Sequence, residues 1–101
     1  MVMKLVFAIL LLVTIQKALG QYIPKDGFVN SDTTAIKIAE AIWLPIYGQN
    51  IYTKLPFHAT YDSISKVWTV EGTLKEGLKG GVPGIEIEKK DGCVLCVWHG
   101  K

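Results

Sequence analysis

Hydrophobic positions recur with a helical period in one stretch beyond the N-terminal segment and alternate or break elsewhere. From Asp32 to Gly48, Ala35, Ile38, Ala39 and Ile42 fall at i, i+3, i+4 and i+7, while Lys37 and Glu40 lie outside that stripe. This spacing predicts an amphipathic helix with one face to cover. Ser31 or Asp32 can cap its start, with Asp32 also suited to the positive end of the helix dipole. Pro45 cannot donate to the carbonyl four residues back and Gly48 suits a left-handed cap, so the helix should loosen near Leu44 and stop by Gly48.

Strand patterns follow. Gln49–Lys54 reads as a short β-prone piece that ends before Pro56, a residue confined to edges and breaks. Phe57, Ala59 and Tyr61 alternate with His58 and Thr60, the period of a strand with one covered face. Asp62-Ser63-Ile64-Ser65 is turn chemistry. Lys66–Gly72 then places Trp68 and Val70 on one face, with Trp68 as a core anchor. Thr73–Gly84 carries glycines and a proline that forbid a regular element through most of its length. The clearest hairpin joins Ile85–Lys89 to Cys93–His99 around Lys90-Asp91-Gly92, with Gly92 supplying a positive φ. A three-residue loop would set Ile87 opposite Leu95 and Ile85 opposite Val97, gathering four aliphatic residues on one face. The expected class is α+β: one N-terminal helix packed on a curved antiparallel sheet of about four strands.

The first 30 residues carry a different signal. Met1-Val2-Met3-Lys4 is a short basic leader, and the run from Leu5 to Ile15 is apolar except for Thr14. It is shorter than the roughly 20 residues that span a bilayer, and Ala18-Leu19-Gly20 offers small residues for cleavage before Gln21. Residues 1–20 are therefore expected to be a signal peptide, residues 21–30 a linker, and residues 31–101 the folded domain. The protein would be exported, to the periplasm or outside, and would make no membrane contact once the leader is cleaved. An uncleaved N-terminal anchor is the other reading of the same segment.

Charge narrows the partners. Of eleven basic residues, all lysine, Lys4 and Lys17 leave with the leader, and the remaining nine match the nine acids. With no arginine fork and no net basic balance, nucleic acid is not an expected ligand. A domain of this size can bury only about 60–65 % of the surface its unfolded chain exposes, which makes a large internal cavity costly.

The helix, strands and turns together resemble a known family, the small bacterial immunity proteins of the nuclear transport factor 2 fold, also called cystatin-like. The residues that carry the resemblance are Thr34–Trp43 with Pro45–Gly48, Pro56–Ala59, Val67-Trp68 with Val70–Leu74, Gly80–Pro83, Ile85–Ile87, Lys90–Gly92 and His99–Lys101. The chain departs from the family pattern at Gly84, where a larger residue is usual, at Cys93 and Cys96, and at Trp98, where a small polar residue is usual. The resemblance implies a non-enzymatic binding protein, without cofactor or metal, that neutralises a toxin encoded by an adjacent gene. An exported member would answer a toxin acting in the envelope or outside.

Candidate chemistry is sparse. Cys93 and Cys96 have dithiol spacing, but in a strand they stand about 10 Å apart at roughly 3.3 Å per residue and face opposite sides. That exceeds the roughly 7 Å reach of a disulfide, and no helix N-terminus lowers a thiol pKa. Redox and zinc functions are therefore disfavoured, and small apolar packing is expected for one thiol. His58 and His99 lack an elbow serine or a carboxylate pair to work with, and Glu86 and Glu88 alternate with isoleucines as a solvated strand face does. Gly80–Gly84 lacks the setting of a phosphate cradle. The expected partner-binding patch is the loop containing Lys75, Glu76, Lys79, Gly80, Gly81, Val82 and Pro83, together with His99 at the sheet rim. A small envelope enzyme or ligand binder using the concave sheet is the alternative function, disfavoured because so short a chain has little to roof a pocket of about 300 Å³. A protease inhibitor of the envelope is a third, by fold analogy.

Overall fold

The computed structural model describes residues 21–100. The proposed signal peptide lies outside them. The helix, α1, runs from Asp32 to Tyr47. Ser31 is its cap: the Thr34 backbone N–H donates to Ser31 Oγ at 3.2 Å, satisfying one of the free donors of the first turn. At the other end the Gly48 N–H donates to the Leu44 carbonyl with Gly48 at φ +74, a conformation glycine adopts without strain. Pro45 lies inside the last turn, so the helix carries it for two residues before stopping.

Gln49–Lys54, expected as a β-prone piece, is instead part of a 3₁₀ helix, η1, from Gly48 to Lys54. Its contacts explain the difference. Ile51 is buried in the core, Tyr52 Oη donates to Glu40 of α1 at 2.6 Å, and Thr53 Oγ1 donates to the Asn50 carbonyl. The tight winding tucks η1 back under the helix, a packing preference that local β-propensity does not report.

Four strands follow: β1 His58–Asp62, β2 Val67–Glu71, β3 Pro83–Glu88 and β4 Val94–His99. They form an open antiparallel meander in the order β1-β2-β3-β4. One rung of its inner face reads Ala59, Val70, Ile85, Val97 and the next reads Tyr61, Trp68, Ile87, Val94. Ala35, Ala39 and Trp43 of α1 pack with Ile51 and Phe57 on this surface, and all are buried. Trp43, with no exposed surface, stands edge-on to Phe57 at 5.1 Å and donates its indole N–H to the Gly84 carbonyl at 3.2 Å. The predicted stripe was right in Ala35 and Ala39, while Ile38 and Ile42 are half-buried at its margin. Among the described residues, no helix is long and apolar enough to cross a membrane.

The C-terminal hairpin differs from expectation by one residue. Ile85 does face Val97, but the register shifts between Glu86 and Ile87, so Ile87 faces Val94 rather than Leu95. The Gly92 N–H closes on the Glu88 carbonyl and the Glu88 N–H on the Cys93 carbonyl, which takes four loop residues, Lys89 to Gly92, rather than three. A bulge in β4 absorbs the extra residue. Gly92 has the expected positive φ, +77.

Residues 21–30 form no helix or strand, yet their second half is docked, so the linker is shorter than expected. The Phe28 and Val29 N–H groups donate to the Lys90 and Lys89 carbonyls at 3.0 Å. Val29 is buried, and Trp68 Nε1 donates to its carbonyl at 2.7 Å. A lone valine between an exposed Phe28 and Asn30 gave the sequence no periodic signal.

Candidate functional site

The Gly72–Val82 loop opens with a tight turn: the Leu78 N–H donates to the Lys75 carbonyl at 3.1 Å, with Gly77 at φ +82 in the position that demands it. Lys75 and Glu76 sit at the turn and Lys79 beyond it, all exposed and flanked by exposed Leu74 and Leu78. The chain then returns to the sheet. The Gly72 N–H donates to the Pro83 carbonyl and the Thr73 N–H to the Lys54 carbonyl, tying the loop's base to β3 and η1.

At the loop's far end, Gly80 and Gly81 run beside the end of β4. The Gly100 N–H donates to the Val82 carbonyl at 3.1 Å, and Pro83 pairs with His99. A Cβ on Gly81 would lie 1.9 Å from the Gly100 carbonyl carbon, so glycine is required by the closeness of the two backbones. Val82 is half-buried and Pro83 fully buried, its carbonyl in the ladder; Pro83 therefore shapes the surface from beneath rather than presenting its ring.

The structure thus unites Gly80, Gly81 and His99 on one groove of about 360 Å³ and leaves Lys75, Glu76 and Lys79 on the turn outside its lining. Its opposite wall is Tyr47 from the end of α1 with Asn50, Ile51 and Lys54 of η1. The Tyr47 and His99 rings meet at 5.0 Å and 63°. These wall residues were missed from sequence because Gln49–Lys54 was read as strand; the glycine ending the helix, followed at once by Gln-Asn, was the available sign of continued turning. The volume reaches the size expected to be out of reach of so short a chain, but the lining is largely exposed, so the feature is an open groove.

Other candidate groups are locally committed. His58 Nε2 lies 2.6 Å from Thr73 Oγ1, which itself donates to the Pro56 carbonyl at 2.6 Å. The hydroxyl's one proton is used, so the imidazole donates and cannot act as base toward it. Tyr52 has its phenol pushed above the ordinary value, chiefly because its proton is held by the Glu40 carboxylate. Asp62 is held below the usual carboxylate value by the Ser65 hydroxyl and then the Ile64 N–H, the bonds of a turn that stabilise its charged form. Cys93 and Cys96 are free and both exposed, so neither serves as the apolar packing expected of one of them. Glu88, Asp91 and Cys93 have side-chain ligand atoms within 4.8 Å of one another at the hairpin turn, but Asp91 Oδ1 already accepts the Cys93 N–H at 2.9 Å, as a turn of this kind requires.

Gly84 and Trp98 are partners on the outer face, and a Cβ on Gly84 would lie 2.2 Å from the Trp98 indole. The glycine makes room for the indole.

Residues 34–101 match the NTF2 fold immunity proteins. Two proteins of Escherichia coli (strain K12) are similar to this chain. Uncharacterized protein YbbC is 40% identical over 75 residues, covering 72% of this chain and 60% of YbbC. Uncharacterized protein YhhH is 34% identical over 84 residues, covering 81% of this chain and 64% of YhhH. The chain therefore spans less than two thirds of the length of either relative. No solved structure matches it. Among the described residues, a helix on an open four-stranded antiparallel sheet is that family's fold, and the chain belongs to the NTF2 fold immunity proteins.

Proposed function

We propose that this protein is an exported immunity protein that neutralises a cognate toxin, encoded by an adjacent gene, by binding it directly and without catalysing a reaction. Family membership supports toxin neutralisation. The observation that carries the binding surface is the groove that Gly80, Gly81 and His99 share with Tyr47, with Lys75, Glu76 and Lys79 exposed on the loop that leads into it. An exposed loop on a rigid sheet is where recognition residues concentrate. A standard interface of about 800 Å² per partner fits one side of a domain this size. The direction of the His58–Thr73 bond gives no activated nucleophile, which favours binding over catalysis.

Export with cleavage after Gly20 rests on the leader: protein recovered from the envelope should have the mass of a chain beginning at Gln21, retention of Met1–Gly20 would refute the cleavage, and recovery from the cytoplasm alone would refute export. The binding surface is tested by changing Lys75, Glu76 and Lys79 together to alanine. Rescue of cells producing the toxin should weaken while the melting temperature holds, because exposed charges act mainly on association rate and partner choice. Full rescue by the triple variant would remove this surface from the account.

A further inference from the structure

The opposite end of the sheet carries a second surface. The β1–β2 turn, the β3–β4 turn and the docked N-terminal segment meet there through the backbone: the Lys89 N–H donates to the Lys66 carbonyl at 3.1 Å, and the Phe28 N–H to the Lys90 carbonyl at 3.0 Å. Each segment brings lysine to a groove of about 370 Å³, Lys25 from the N-terminal segment, Lys66 from the first turn, and Lys89 and Lys90 from the second. Of the eleven lysines, Lys4, Lys17 and Lys101 lie outside the described residues, so four of the remaining eight line this one groove. Asp26 is the one carboxylate in its lining.

Asp62 and Asp91 belong to the same two turns and keep their charge, but both lie outside the lining, the Asp62 carboxylate accepting from the Ser65 hydroxyl and the Ile64 N–H and Asp91 from the Cys93 N–H. Lys89 Nζ lies over the Tyr61 ring at 5.2 Å, which orients one ammonium beside an apolar wall. Ile23, 68 % exposed, extends that wall. Lys66 adopts φ +60, an unusual conformation for a side chain other than glycine, at the point where the two turns meet.

We infer that this groove docks an acidic protein segment with an interleaved apolar residue, the lysines meeting its carboxylates and Tyr61 its apolar side chain. Charge complementarity identifies the occupant: within the lining, four lysines from three segments stand against the single carboxylate of Asp26. A nucleic acid is the less suited anion, since no guanidinium is present to fork onto phosphate. The surface is distinct from the proposed toxin-binding end and does not depend on it.

The test titrates ¹⁵N-labelled protein with a peptide of six glutamates flanking a central leucine. Saturable shifts of the Gly27, Lys66, Lys89 and Lys90 amides are expected, with no binding of the same peptide carrying glutamines. Changing Lys66, Lys89 and Lys90 together to glutamine should weaken binding at least tenfold at an unchanged melting temperature. Should that variant fail to fold, the glutamate-against-glutamine comparison on the unaltered protein decides alone. Shifts confined to Lys75–Gly81, equal binding of both peptides, or tighter binding of an eight-nucleotide single strand at the same lysines would each overturn the inference.

Discussion

Trp68→Phe should expose how the N-terminal segment is held. The indole is 9 % exposed and donates to the Val29 carbonyl at 2.7 Å, so phenylalanine removes the donor from a carbonyl in the core. An acceptor left buried without its partner costs ~1–3 kcal/mol. The smaller ring leaves a void of roughly 40 Å³, which at about 24 cal/mol per Å³ adds ~1 kcal/mol. The sum, ~2–4 kcal/mol, has a ceiling, because the segment can peel away and let water reach the carbonyl at the cost of exposing Val29, about 1.5–3 kcal/mol. At about 4–8 °C per kcal/mol, the melting temperature should fall by roughly 10–25 °C. Urea unfolding gives the free energy, and amide exchange gives the mechanism. The Val29 N–H, bonded to Lys89, should lose protection while Val70 in β2 keeps its own relative to global unfolding. A loss below about 0.5 kcal/mol, or an equally protected Val29 amide, would refute the reasoning.

Gly81→Ala should push the loop from the end of β4, since its Cβ would meet the Gly100 carbonyl; loss of protection at the Gly100 amide checks it, with a cost of ~1–3 kcal/mol if the backbones cannot separate. The double change Cys93→Ser and Cys96→Ser should leave toxin rescue intact and stability within about 0.5 kcal/mol, and thiol titration of the native protein should find two free groups, because both side chains are exposed. Asp62 should titrate by NMR below its ordinary 3.8. Its pKa is lowered on folding, so the turn's contribution is present above the unfolded value and is lost as pH falls through the folded one; Asp62→Asn should remove that acid-side dependence of the Ile64 amide.

Much of the fold was legible because its elements obey simple periods. Ala35 and Ala39 marked the helix face, and Trp68 and Val70 marked the covered side of β2. Elements whose structure depends on distant partners were not legible. η1 winds as it does because Ile51 reaches the core and Tyr52 reaches Glu40, contacts that local propensity cannot carry. The β4 bulge follows from a loop one residue longer than its sequence suggested. The candidate site was half visible. Glycines and charges flagged the loop and His99 its rim, but the facing wall of Tyr47, Asn50 and Lys54 arrives through the winding of η1. The lysine groove was invisible because its four contributors are scattered from residue 25 to residue 90 and meet only through the pairing of two turns.

On the function proposed, this protein acts by holding one partner. The decisive experiment is calorimetric titration of the purified chain beginning at Gln21 with the purified product of the adjacent gene, proposed above to encode the toxin. Saturable one-to-one binding is predicted, weakened by alanine at Lys75, Glu76 and Lys79, with the toxin's activity lost in proportion to occupancy. No binding to that product, with saturable turnover of a small molecule that Tyr47→Ala in the groove abolishes, would contradict it.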